Sequence, residues 1–129
     1  MTAAVTTANW ADLAGSVRYP TDLLIGGKFV PGASRQEVIS PIDGKPITDV
    51  AFASAADVDR AVASARASFR DRRWAGMSPM DRKDVLIRWA NLAQEHADQL
   101  AVLTALEMGK PAREAKAIDV RAVYRTLRW

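Results

Sequence analysis

Glu107, Met108 and Lys110 crowd around Gly109 in the stretch ALEMGKP, Ala105 to Pro111, where an acid and a base flank a helix stop. Glycine accepts the left-handed conformation that ends a helix, and proline prevents continuation, so the stretch is first of all punctuation. Whether the acid also belongs to a site is the open question. Few other groups could do chemistry. His96 is the only histidine, which leaves no histidine metal cluster or triad and favours a helix-end or core-edge role. Cysteine is absent, which excludes a disulfide framework, a thiolate zinc site and thiol catalysis within these 129 residues. Trp74 and Trp89 fit core or loop cover better than stacking platforms. Arg113, Lys116, Arg121, Arg125 and Arg128 recur late in the chain and carry little weight as a nucleic-acid surface.

Composition agrees with that last reading. The net charge of +3 is spread rather than clustered, with arginines interleaved among acids in DVDRAVASARASFRDRRW, whereas polyanion binding needs grouped cations. Apolar residues make up 49% and charged residues 26%, the balance of an ordinary globular domain. A chain of this length can bury a real core. No run approaches the 18 apolar residues of a membrane span. The first residues, MTAAVTTANWADLAGSVRY, have no positive side-chain charge before Arg18 and no apolar h-region of the secretory kind; cytoplasm is the default expectation.

The elements that must position these groups are marked locally. Residues 1–22 read as a leader, partly mobile, with one short helix where Trp10, Leu13 and Val17 share a face. LLIGGKFV, Leu23 to Val30, carries Gly26-Gly27 between two apolar segments and predicts a hairpin whose tight turn needs positive φ. EVIS and PITDVAFA are joined by PIDG with Asp43-Gly44 at the tip, a second pair of strands. Beyond Ser54 the pattern is helical. Ser54 opens SAAD and Ser78 opens SPMD, capping-box variants in which serine accepts from the N3 amide and aspartate reaches back. Pro79 sits where a helix tolerates it.

The first of these helices, about Ala55 to Arg70, places Val58, Ala61, Val62, Ala65 and Phe69 on one stripe. Trp74 covers the loop that follows. A single helix from Met80 to Met108 would be more than twice the usual length of about 11 or 12 residues, so a break falls near EHAD, Glu95 to Asp98. A last helix runs from Ala112 to at least Leu127. It stops at Trp129 in mid-pattern, leaving Tyr124, Leu127 and Trp129 in search of partners, which reads as a truncated polypeptide.

In joint order, LLIGGKFV, then ISPIDGKPITDVAFASAADVDRAVASARASF, then RRWAGMSPMDRKDVLIRWANLAQEHADQLAVLTALEMGKP, then DVRAVYRTLRW resemble the N-terminal portion of the NAD(P)-dependent aldehyde dehydrogenase superfamily. The likeness runs from about Leu23 to Trp129 and is strongest toward its amino-aldehyde branch, gamma-glutamyl-gamma-aminobutyraldehyde dehydrogenase included. It implies an α/β, Rossmann-like parent fold of which this segment alone is α+β: short antiparallel strands followed by three to four helices. Residues 23–129 would be the start of the cofactor-binding domain. In such enzymes a cysteine thiolate attacks the aldehyde, N–H groups hold the oxyanion, hydride passes to the nicotinamide of NAD or NADP, and a glutamate activates water. The reacting groups lie outside these residues. Homo-oligomers, dimeric or tetrameric, are the family's habit.

The resemblance also implies sites. A monovalent-cation site carried over position by position falls on the backbone of Val38 and Ile39 and on the carboxylate of Glu107. Hard cations take carboxylate and carbonyl oxygens, and a helix C-terminus presents unsatisfied carbonyls. The bland reading is a solvated acid at a helix end. Asp119 matches a position at the mouth of the aldehyde tunnel, where an acid could attract a cationic amino-aldehyde; the bland reading is an exposed charge pairing with a neighbouring arginine. Ala122, one turn on, lacks the second acid that some amino-aldehyde enzymes carry. The sequence departs from the family's habit at Ser40-Pro41, where asparagine commonly precedes the proline, and at Glu107, where aspartate is frequent. A free-standing helical interaction module is the other class of reading, and a small nucleic-acid binder the least favoured.

Overall fold

The structure, a computed structural model, describes residues 9–129. The first eight residues of the expected leader lie outside it. Helix α1, Trp10–Ser16, starts from Asn9, whose side chain accepts from the Asp12 N–H, and Trp10 packs against the central helices. Strands β1, Leu23–Ile25, and β2, Lys28–Val30, form an antiparallel hairpin. Its turn is Gly26-Gly27, with φ of 61° and 77°, the two positive angles of a tight turn whose twist matches the strands.

The second hairpin pairs β3, Ser34–Ile39, with β4, Pro46–Phe52. Strand β3 starts three residues before the EVIS segment read from the sequence, because Ser34, Arg35 and Gln36 pair with Phe52, Ala51 and Val50. Arg35 ties the two hairpins together, pairing with Asp22 at 3.1 Å and Asp49 at 3.0 Å. The ladder is irregular at one place. Val38 faces Thr48 and Ile39 faces Pro46, so Ile47 is the extra residue of a bulge.

Four helical runs follow. Helix α2, Ala55–Arg70, has the full capping box: the Asp57 N–H donates to Ser54 Oγ at 3.2 Å and the Ser54 N–H donates to Asp57 Oδ2 at 2.8 Å. The Ser54 hydroxyl and N–H, then Arg60, hold the Asp57 carboxyl down at about 2. Helix α3, Pro79–Glu95, starts with half a box. Ser78 Oγ accepts from the Asp81 N–H at 3.1 Å, but the Asp81 carboxylate takes the serine hydroxyl at 2.7 Å rather than its amide. Helix α4, Ala97–Met108, follows after a break at His96, within the expected EHAD. It ends in left-handed Gly109, φ 72°, whose N–H donates to the Ala105 carbonyl at 2.8 Å.

The last run departs from the sequence reading. Between α5, Ala112–Glu114, and α6, Arg121–Arg128, the chain widens into a π-helical segment, Ala115–Val120. Such segments are rare and short. Here the wide turn lets Ala115 and Val120, five residues apart, both be buried, at 0% and 4% exposure.

The core lies where α3, α4, the π segment and α6 meet, and small side chains fill it: Ala90, Ala93, Ala97, Ala101 and Val102 with Ala115 and Val120. Val102 is the largest side chain that is fully buried. Several large apolar residues stay outside. Val58, Val62 and Phe69 on the α2 stripe are 52%, 52% and 73% exposed. Trp74 is 43% exposed and covers its loop only in part.

Candidate functional site

The residues singled out around GKP come together at the C-terminal end of α4. An added Cβ on Gly109 would lie 3.3 Å from Pro41 Cγ, so the helix stop is packed directly on the turn that follows β3. That turn is built by Ser40, which is buried. Its N–H donates to the Lys45 carbonyl at 2.8 Å, its carbonyl accepts from the Gly44 N–H at 2.9 Å, and its hydroxyl accepts from the Ile42 N–H at 3.2 Å. Its side chain, then the Lys45 N–H, keeps the Asp43 carboxyl below the usual range. Serine thus does the local work of a turn-forming residue at the position where asparagine was expected.

The packing of the stop on that turn brings Val38 and Glu107 to one cavity of about 200 Å³, walled also by Tyr19, Thr48 and Leu106. Ile39, the third carried-over residue, does not line it and is 46% exposed. Both strand residues sit at the bulge. Pro46, opposite Ile39, has no N–H to donate across the ladder.

Glu107 is exposed and borders a second, larger groove of about 910 Å³. Trp89 and Leu92 of α3, Leu103 and Glu107 of α4, and Asp119 and Val120 of the π segment shape it. Asp119 is half-exposed, and its partner corrects the sequence reading: Lys110 Nζ lies 2.8 Å from Asp119 Oδ2, where a neighbouring arginine was expected. Lys110 emerges from the helix stop and Asp119 from the π segment nine residues later, a juxtaposition made by the Gly109–Pro111 turn. No local pattern signals it.

The remaining candidates are structural. His96 is exposed at the α3–α4 junction, with Nδ1 2.8 Å from Gln99 Oε1. Two of the late basic residues make pairs: Lys116 with Asp98 at 2.6 Å, and Arg128 with Asn91 at 2.8 Å and over the Tyr124 ring. Lys83, unremarked in the sequence, donates to the carbonyl of Arg128 at 2.8 Å. Among the described residues no cluster of three or more histidine, aspartate or glutamate side chains could hold a metal ion. No helix of the described residues is long and apolar enough to cross a membrane.

Antiparallel hairpins followed by amphipathic helices, with the GKP stop seated on the strand turn, define a class of protein. Residues 29–129 match the aldehyde dehydrogenase family, and the chain belongs to that family. It is 37% identical to aminoacetaldehyde dehydrogenase of Pseudomonas aeruginosa, over 100% of this chain and 26% of that one. It is 35% identical to the NADP/NAD-dependent aldehyde dehydrogenase PuuC of Escherichia coli, over 95% and 25%. Among solved structures, gamma-glutamyl-gamma-aminobutyraldehyde dehydrogenase of Burkholderia cenocepacia superposes with a TM-score of 0.91 at 37% identity, over 95% of this chain and 25% of that one. The P. syringae indole-3-acetaldehyde dehydrogenase in complex with NAD+ and IAA gives 0.90 at 35%, over the same shares. The chain spans about a quarter of the length of these relatives.

Proposed function

We propose that these residues form the N-terminal part of an NAD(P)-dependent aldehyde dehydrogenase that oxidises an amino-aldehyde to its carboxylic acid. One observation carries the reading: 95% of the chain takes the backbone course of an amino-aldehyde enzyme at 37% identity. The part played by the 129 residues is scaffold. With no cysteine in them, the attacking thiolate comes from elsewhere in the enzyme, and the chain alone has no nucleophile of that kind.

The residues present do not fit the dinucleotide. Among the described residues the four strands pair antiparallel in two hairpins, and the passage from strand to helix, β4 to α2, runs through Ala53 and Ser54 without a glycine. A pyrophosphate needs a glycine turn between strand and helix so that backbone can approach it. NAD or NADP is therefore held by other residues of the enzyme, and no step is placed on these.

Two sites belong to the proposal. Glu107, with the backbone of Val38 and Ile39, contributes to a monovalent-cation site, supported by the shared cavity and by the bulge beside it. Melts of enzyme in potassium, sodium and choline chloride should differ, and Glu107→Ala should flatten the difference; identical shifts in mutant and wild type would dispose of the site. Asp119 stands at the groove through which the aldehyde arrives. By family likeness the enzyme is a cytoplasmic homo-oligomer, a dimer or tetramer.

A chimera tests the whole reading. Residues 1–129 replace the aligned quarter of the Pseudomonas aeruginosa aminoacetaldehyde dehydrogenase, and NAD+ reduction is followed with 3-aminopropanal. The chimera should turn over and the 129 residues alone should not. Turnover by the isolated chain would overturn the scaffold role. So would an inactive chimera that folds and assembles like its parent.

A further inference from the structure

Asp119 and Lys110 are not equal partners. The lysine side chain is 25% exposed and the aspartate 42%, so the cation lies behind and the carboxylate in front. Lys110 takes only Oδ2; Asp119 Oδ1 has no hydrogen-bond partner among the described residues. That oxygen belongs to a side chain lining the 910 Å³ groove, whose other charged groups are Glu107 and Arg18, with the imidazole of His96 nearby. The scaffold holds the pair in place. Gly109 fixes where Lys110 leaves α4, and Ala115 and Val120, both buried, fix the π segment that carries Asp119.

We propose that Lys110 is a specificity-determining positioning residue: by pairing with Asp119 it sets the charge that the groove mouth presents, and so limits how strongly the enzyme prefers cationic over neutral aldehydes. Unpaired, Asp119 would show a full negative charge to an incoming ammonium group. Paired, it shows a dipole with one oxygen left to accept. A cationic substrate feels that difference and a neutral one of the same length does not. The inference rests on the reading of Asp119 as the groove-mouth acid.

The test is made in the chimera, with 3-aminopropanal and propanal as a cationic and neutral pair. Lys110→Met should lower KM for 3-aminopropanal about threefold, the scale of a partly exposed pair, with kcat and the propanal KM unchanged. Lys110→Arg keeps the charge and should behave as wild type, which guards against a merely structural effect. The gain should shrink as salt is raised. A change of equal size for both aldehydes would overturn the role of Lys110. If Asp119→Asn alone leaves the 3-aminopropanal KM unchanged, the groove-mouth reading of Asp119 fails instead.

Discussion

Helix α2 and the α3–α4–α6 bundle are built from similar material and end up in opposite situations. Both carry apolar stripes at helical spacing. In the bundle the buried residues are alanines and valines, so the helix backbones approach closely. On α2 the stripe of Val58, Val62 and Phe69 is bare, and the helix touches little besides β1. The bundle shows the same bias from outside: Trp89, Leu92, Ile118 and Val123 are each about half exposed or more. The small residues are thus spent on contacts within these 129 residues, while many of the large ones stay exposed. A helix covered by a sheet hides its apolar face there. The difference teaches that the small side chains of this region pack among themselves while the apolar stripe of α2 and the outer face of the bundle stay uncovered.

The most drastic way to break that comparison is to study the 129 residues alone. They should bind a hydrophobic dye strongly and lose structure without a cooperative transition, since the buried core holds nothing larger than valine. A sharp, monomeric melt with no dye binding would show that the bundle is sufficient by itself. Next in size are substitutions that separate the two faces. Ala101→Leu, at a position with 0% exposure, should cost the chimera about 1–3 kcal/mol by overpacking in urea denaturation. Phe69→Ser should leave the isolated chain no less ordered and more soluble, yet cost the chimera about 3 kcal/mol. Equal small effects of Phe69→Ser in both settings would mean the α2 stripe is an ordinary exposed surface.

How much of this was legible follows from the same division. Caps and turns are local, so Gly26-Gly27, Asp43-Gly44, Ser54, Ser78 and Gly109 could be read where they stand, and the break at His96 followed from helix length. The start of β3 could not. Ser34, Arg35 and Gln36 are all exposed, so no alternation marks them, and only pairing with β4 makes them a strand. The π segment was equally hidden, because AKAIDV continues a helical pattern and only the joint burial of Ala115 and Val120 reveals the wider turn. At the candidate site, Glu107 and Asp119 were named from resemblance, whereas Lys110 was seen only as part of the helix stop. Its partnership with Asp119 depends on the path the chain takes through Gly109 and Pro111.

A smaller effect sharpens the comparison at the helix starts. Helix α2, with little burial to hold it, leans on its cap; α3 packs against α6. Ser54→Ala should cost about 1 kcal/mol and release α2 first in hydrogen exchange. Ser78→Ala should cost less, because its box is half formed and Pro79 already favours the start. Equal protection losses at the two helices would place their stability in packing alone.

The smallest effect is a matter of pH and isolates the cap from everything else. Asp57 titrates in the fold at about 2, below its ordinary 3.8, chiefly through the Ser54 side chain and N–H and then Arg60. A carboxyl depressed in this way stabilises the folded form fully above the ordinary value, and the contribution is lost as pH falls from near 4 toward 2. In a peptide of residues 53–71, the helical ellipticity of wild type should exceed that of Asp57→Asn above pH 4, and the gap should close by about pH 2. Other acids in the peptide titrate in both and cancel in the difference. A gap that survives at pH 2 would mean that side-chain shape rather than charge starts this helix.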